Sequence, residues 1–190
     1  MNKYVNQMKQ AVMAYQRTAR WITDQQQRNR ETLSEALAAA DNTALFVEMQ
    51  EAETKAHNQI QSVLDVVSGG LGKAVPLNGK DVTEDVQLLS GAFDLSREQL
   101  QGLVEKHLKN PTMLNAIMKY TKANSIHGVS IPTQDEKLEA YKTFANGAFN
   151  MLRRITTDPS ADIAGLDNWG EAPTSSERLV QLIGTGDDIK

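Results

Sequence analysis

Three histidines, His57, His107 and His127, are the side chains of this 190-residue chain best suited to proton transfer or metal ligation. A two-metal helical bundle asks for a carboxylate three residues before a histidine on one helix face. Glu53 stands four before His57, and Thr54 holds the place where the carboxylate should be. His107 falls in the predicted last turn of a helix, where a partial positive charge suits the dipole, and His127 sits in a loop beside Gly128. Their spacing predicts solvated or lightly packed histidines and no metal site. The acids Asp158, Asp162, Asp167 and Glu171 lack the alternating positions of a calcium loop and read as a solvated segment.

Gly69-Gly70-Leu71-Gly72-Lys73 looks like part of a phosphate loop. A full loop needs a glycine with four residues between it and Gly72, and a hydroxyl after the lysine; Val67 and Ala74 stand there instead. The loop should also follow a strand, whereas this one follows a helical pattern, so it reads as a helix terminator. Ser90-Gly91 lacks the flanking glycine of a nucleophile elbow. With no cysteine, thiolate catalysis, thiolate metal sites and disulfides are excluded. The expectation is a non-enzymatic protein with no catalytic residue, no cofactor and no metal.

The remaining chemistry is electrostatic. Arg17, Arg20 and Arg28, with Trp21 among them, could grip a phosphate backbone, as could Lys106, Lys109, Lys119 and Lys122. Residues 83–109 carry the parts of a helix-turn-helix: a short apolar run, the Ser90-Gly91 turn and a capped second helix. Its would-be recognition helix opens with Arg97 beside Glu98 and stays near neutral until Lys106, which favours a generic helical corner.

The elements that must position these groups are helical throughout. Met1, Tyr4, Met8, Tyr15 and Ile22 mark one stripe, widened by Val5, Val12 and Ala19 as in a core-facing helix. Capping pairs Thr32/Glu35, Ser96/Gln99, Thr133/Glu136 and Thr174/Glu177, the related start Asp81/Glu84 and the Asn110-Pro111 step set helix starts. Together they predict helices near 3–29, 32–68, 82–92, 96–109, 111–124, 134–157 and 175–183, with a break or kink at Asp41-Asn42-Thr43. Residues 126–131 are the one strand-like piece, closed by Pro132. No unbroken apolar run exceeds five residues, far short of a membrane span.

The net charge of −4 hides strong segregation. Residues 1–30 balance at +5 and residues 31–68 at −6, then come −3 for 69–105, +4 for 106–126, +1 for 127–157 and −5 for 158–190. Two consecutive amphipathic helices of opposite charge are expected to fold back on one another, pairing charges along the flanks of an apolar seam. The same complementarity could act between chains.

The sequence thus predicts an all-α protein in four parts. They are a hairpin over 1–68, a Gly/Pro-containing linker over 69–80, a helical bundle over 81–157, and an acidic tail with one short helix over 158–190. The expected function is assembly through protein–protein contacts, with a protein partner or a further copy in a homo-oligomer. Cys-free, Gln-rich composition with segregated charge suits a component of a large assembly, such as a viral scaffolding or capsid-associated protein. Candidate contact residues are Met1, Tyr4, Met8, Tyr15 and Ile22. The alternative is a nucleic-acid-binding regulator using the basic first helix and the 83–124 helices. An intracellular, non-secreted location, including the interior of a viral particle, follows from the absent cysteines and apolar leader.

Overall fold

The computed structural model describes residues 2–71 and 77–163, together with Ile183 and Ile189. The fold is all-α, with helices α1 (Lys3–Thr32), α2 (Glu35–Leu71), α3 (Arg97–Lys106), α4 (Pro111–Ala123) and α5 (Gln134–Thr157), and short 3-10 turns at Gly79–Asp81 and Glu84–Leu89. Among the described residues no helix is long and apolar enough to cross a membrane. The chain divides into two compact units, one of residues 1–71 with 137–190, the other of residues 72–136.

In the first unit α1 starts at a cap that also ties it to α5. The buried Asn2 accepts from the Tyr4 and Val5 amides at 3.0 and 3.2 Å. Its own amide donates to the Tyr141 hydroxyl at 2.7 Å and the Ile183 carbonyl at 3.0 Å. Leu33 and Ser34 separate α1 from α2, and so tight a connection makes the two helices antiparallel neighbours. The predicted cap Thr32 is instead the last residue of α1, its hydroxyl bonded back to the Arg28 carbonyl at 2.8 Å. The first α2 backbone bond, from Ala38, goes to the Ser34 carbonyl. The expected break at Asp41-Asn42-Thr43 is absent. The buried Asn29 of α1 donates to both Asp41 and Asn42, which gives these helix-weak residues a reason to stay helical.

The third member of this unit is α5, which the sequence reading assigned to an 81–157 bundle. Its apolar face of Ala140, Tyr141, Phe144, Ala148, Leu152 and Ile155 joins one core with Tyr4, Met8, Val12 and Tyr15 of α1 and Ala56, Ile60 and Val67 of α2. The Tyr4 and Tyr141 rings meet edge to face at 6.1 Å, and Tyr15 bonds Thr156 at 2.8 Å, so α5 runs parallel to α1. Thr156 donates its single proton to the Leu152 carbonyl, which leaves Tyr15 as donor to Thr156. Residues 72–136 are thus an insertion between the second and third helices of a three-helix core, a division that helix spacing does not encode.

The second unit has its own smaller core of Leu100, Leu103, Val104, Leu114, Ile117 and Tyr120. The Ser96/Gln99 capping box opens α3, and Asn110 with Pro111 opens α4. Thr133 and Glu136 exchange the two bonds predicted at the start of α5. The helix expected over 82–92 is only the 3-10 turn Glu84–Leu89, ended where Gly91 takes a φ of +84°. The helix-turn-helix therefore lacks its first helix. The 126–131 segment forms no strand, and Ile126, Val129 and Ile131 pack against the core from an irregular stretch of chain. Within the expected 69–80 linker, residues 69–71 finish α2 and residues 79–81 form a 3-10 turn. Of the predicted helix at 175–183 only Ile183 is described, and it is buried; residues 175–182 and the cap Thr174 lie outside the described residues.

Candidate functional site

The α1–α2 hairpin divides into two halves of different cover. Over residues 3–20 and 52–71 it packs with α5 in the shared core. After α5 ends, the chain crosses α1: Gln16 donates to the Ala161 carbonyl at 2.7 Å, and Arg20 donates to the Pro159 carbonyl at 3.0 Å. Beyond that crossing, Ile22, Asn29, Ala38 and Leu45 are the buried residues between 21 and 51. Trp21, Leu37, Phe46 and Val47 remain 46, 62, 56 and 48 % exposed. These four large apolar side chains form no part of the apolar cores of the described residues.

Between α1 and α2 runs an open groove of about 1110 Å³. Gln7, Gln10, Ala14 and Arg17 line one wall, and Val47, Gln50, Glu51, Thr54, Lys55 and Asn58 are on the other. Residues 7, 10, 14, 17 and 21 lie three or four apart, so Trp21 continues the α1 wall at its far end. Val47 continues the α2 wall at the same end, because Asn29 meets Asp41 and Asn42 and this fixes the antiparallel register. As whole helices the two differ in charge, α1 with six Lys and Arg against two acids and α2 with six acids against Lys55, but the groove itself is lined by Arg17 on one side and by both Glu51 and Lys55 on the other. Among the described residues no ion pair joins the two helices; those seen are Lys106 and His107 to Asp85, and Lys142 to Glu139. The apolar seam and the Asn29 clamp hold the hairpin, and the expected pairing of charges along its flanks is not what closes it.

A second, smaller cleft of about 410 Å³ lies between α2 and α5. Glu53, His57, Asn146, Asn150 and Arg153 face it, over Phe149 and Leu152. His57 stacks on Phe149 with ring centres 4.5 Å apart, a packing role. The nearby Tyr15 hydroxyl is raised above its ordinary value of 10.0, first by burial and further by the charge of Glu53, against the pull of the Thr156 bond. No hydroxyl or thiol nucleophile is among the residues lining the cleft.

The predicted site residues distribute as follows. Tyr4, Met8, Tyr15 and Ile22 are buried within the chain's own fold and offer no surface to a partner; Met1 lies outside the described residues. The stripe is a core stripe, as a core-facing helix requires, and α2 and α5 cover its Tyr4, Met8 and Tyr15. Arg17, Arg20, Trp21 and Arg28 are exposed on the first unit, with Arg20 held by Pro159. Lys106, Lys109, Lys119 and Lys122 are exposed on the second unit, with Lys106 bound to Asp85 at 2.7 Å. The eight polyanion candidates thus fall on two separate units.

His107 differs from its expected solvated role. It is buried at the end of α3, and its Nε2 lies 2.6 Å from Asp85 Oδ2. The hydrogen bond from Lys106, and after it that with His107, holds the Asp85 carboxyl below its ordinary range. This cluster fastens the 84–89 turn to the end of α3; a separation of 22 residues gave no spacing signal for it. His127 is exposed beside Gly128, whose φ is +83° and whose carbonyl accepts from Arg97 Nε at 2.9 Å. Asp158 is held below its usual range by the Ser160 hydroxyl and amide; Asp167 and Glu171 lie outside the described residues. Among those residues no three His, Asp or Glu gather as metal ligands would.

The chain matches no protein-family model, no curated protein and no solved structure. Its geometry carries the functional argument alone.

Proposed function

We propose that this chain is a non-enzymatic assembly protein that works through contacts of its helical hairpin with other protein surfaces. The observation that carries the reading is the far half of the hairpin, where Trp21, Leu37, Phe46 and Val47 stay exposed on two regular helices. Single exposed apolar residues are ordinary, but several large ones on one two-helix arm mark a surface that gains by being covered. The contact residues in this reading are these four, which replace the buried stripe. A scaffolding or capsid-associated role in a viral particle is the specific form that Cys-free, amide-rich composition and segregated charge favour.

The test is the mass of the full chain in solution over a wide concentration range, with identification of anything that co-purifies. The expected result is a concentration-dependent rise in mass or a stoichiometric protein partner. A monomer at every concentration with no partner overturns the reading. Co-purified nucleic acid released by salt would instead favour the regulator that uses Arg17, Arg28 and the exposed lysines of the second unit.

A further inference from the structure

The cleft between α2 and α5 lies wholly within the first unit, and one contact fixes its register. α2 runs antiparallel to α1, and α5 runs parallel to it, so α2 and α5 are antiparallel where His57 lies on Phe149. Glu53 comes four residues before His57 in α2, and Arg153 comes four after Phe149 in α5. A carboxylate and a guanidinium therefore face one another across the cleft, one turn along from the stacked rings. Asn150 lines the same cleft one turn from Arg153, about 4.5 Å along the helix. Glu53 is half-buried, and among the described residues no side-chain hydrogen bond or ion pair engages Glu53, Arg153 or Asn150. Opposite charges that share a cleft without meeting leave room for a group that bridges them. At about 410 Å³ the space is near the small end of ligand pockets, which suits a small molecule and not a polymer.

From these features we infer that the α2–α5 cleft is a binding site for a small zwitterion, a free α-amino acid with a carboxamide side chain. The ligand's ammonium donates to Glu53, and its carboxylate accepts from the forked donors of Arg153. Its methylenes lie against Phe149 and Leu152, the apolar floor of the cleft. Its side-chain amide exchanges a donor and an acceptor with Asn150, since each carboxamide carries both. The single turn from Arg153 to Asn150 matches the reach of two methylenes, which favours glutamine in size. His57 holds the Phe149 ring from the α2 side and makes no contact of its own with the ligand. The site is complete within one chain, so its occupancy does not depend on assembly.

The test is calorimetric titration of the full chain with L-glutamine, followed by the other free amino acids. Saturable binding of one L-glutamine per chain is expected, with a Kd below about 1 mM. Its N-acetylated, C-amidated form lacks both charges and should not bind. Glu53→Gln and Arg153→Gln should each weaken binding by about tenfold or more, whereas Glu51→Gln, outside the cleft, should not. Asn150→Ala should remove the preference for L-glutamine over L-alanine. Unchanged helicity and melting of each variant would show that the fold is intact. Another amino acid that binds more tightly, with the same losses at Glu53 and Arg153, upholds the zwitterion site and overturns the role of Asn150. No saturable binding of any free amino acid, or binding indifferent to Glu53→Gln and Arg153→Gln, overturns the site altogether.

Discussion

The near and far halves of the hairpin are built from the same two helices yet do different work. In the near half α5 lies against α1 and α2, and Tyr15, Ile60 and Tyr141 are almost wholly enclosed. In the far half α1 and α2 have chiefly each other, and apolar side chains of similar size stand half exposed. Two helices can bury one stripe each; a third layer is needed to bury a wider face. The difference teaches that the amphipathic stripe marks where a helix can be covered, and that the length of the third helix decides where it is.

The sharpest way to break this comparison is a pair of truncations. Ile60→Ala in the near half should cost about 2–5 kcal/mol in denaturant unfolding, since it empties a closed core. Phe46→Ala in the far half should change stability by no more than about 0.5 kcal/mol and act on association instead. Equal losses would mean that the far half is covered in the single chain.

Asn2→Ala should rank next. It removes the α1 cap and the link to Tyr141 together, for an expected loss of about 1–2 kcal/mol read by the same unfolding curves. At the opposite end Asn29→Ala should cost about 1 kcal/mol, as the clamp there joins α1 only to Asp41 and Asn42. A larger cost for Asn29 than for Asn2 would reverse the proposed order of the two ends.

The second unit supplies a contrast by pH. Asp85 is ionised and bonded in the fold, with its value lowered below the ordinary 3.8. Its contribution is complete above that ordinary value and is lost as pH falls through the lower folded value. Amide exchange should therefore accelerate in residues 84–106 below about pH 4 in the wild-type chain. Asp85→Asn should flatten that acid dependence, and its persistence would assign the acid response elsewhere. An effect of the same size as that at Asn29 is expected at Gly128, where a Cβ would come within 2.9 Å of the Arg97 side chain at a φ of +83°. Gly128→Ala should lower stability by about 1 kcal/mol, with the loss confined to exchange in the second unit.

Much of the architecture was legible from local chemistry. Ser96, Thr133 and Asn110 cap the helices as their spacing requires, because a capping hydroxyl or amide acts within one turn of itself. The fold-back of 3–32 on 35–71 was legible too, because a short polar break between two amphipathic stretches leaves few alternatives. Less legible was which apolar side chains stay exposed. Tyr4, Met8, Tyr15 and Ile22 carry the strongest apolar period and for that reason were taken by the core, leaving the weaker stripe of Trp21 and Val47 outside. His107 escaped notice because its partner Asp85 is distant in sequence, and Thr32 misled because Ser34, two residues on, offers the first carbonyl of α2.

By itself the sequence determined the all-α class, most helix starts, the hairpin and the exclusion of thiol chemistry, since each rests on periodicity, capping or residue type over a few turns. Only the tertiary structure decided that α5 completes the first core across an insertion, that His107 is buried on Asp85, and which apolar residues of the hairpin remain uncovered. Those outcomes depend on which of several compatible stripes meet, and stripes of the same period are interchangeable until three-dimensional packing chooses among them.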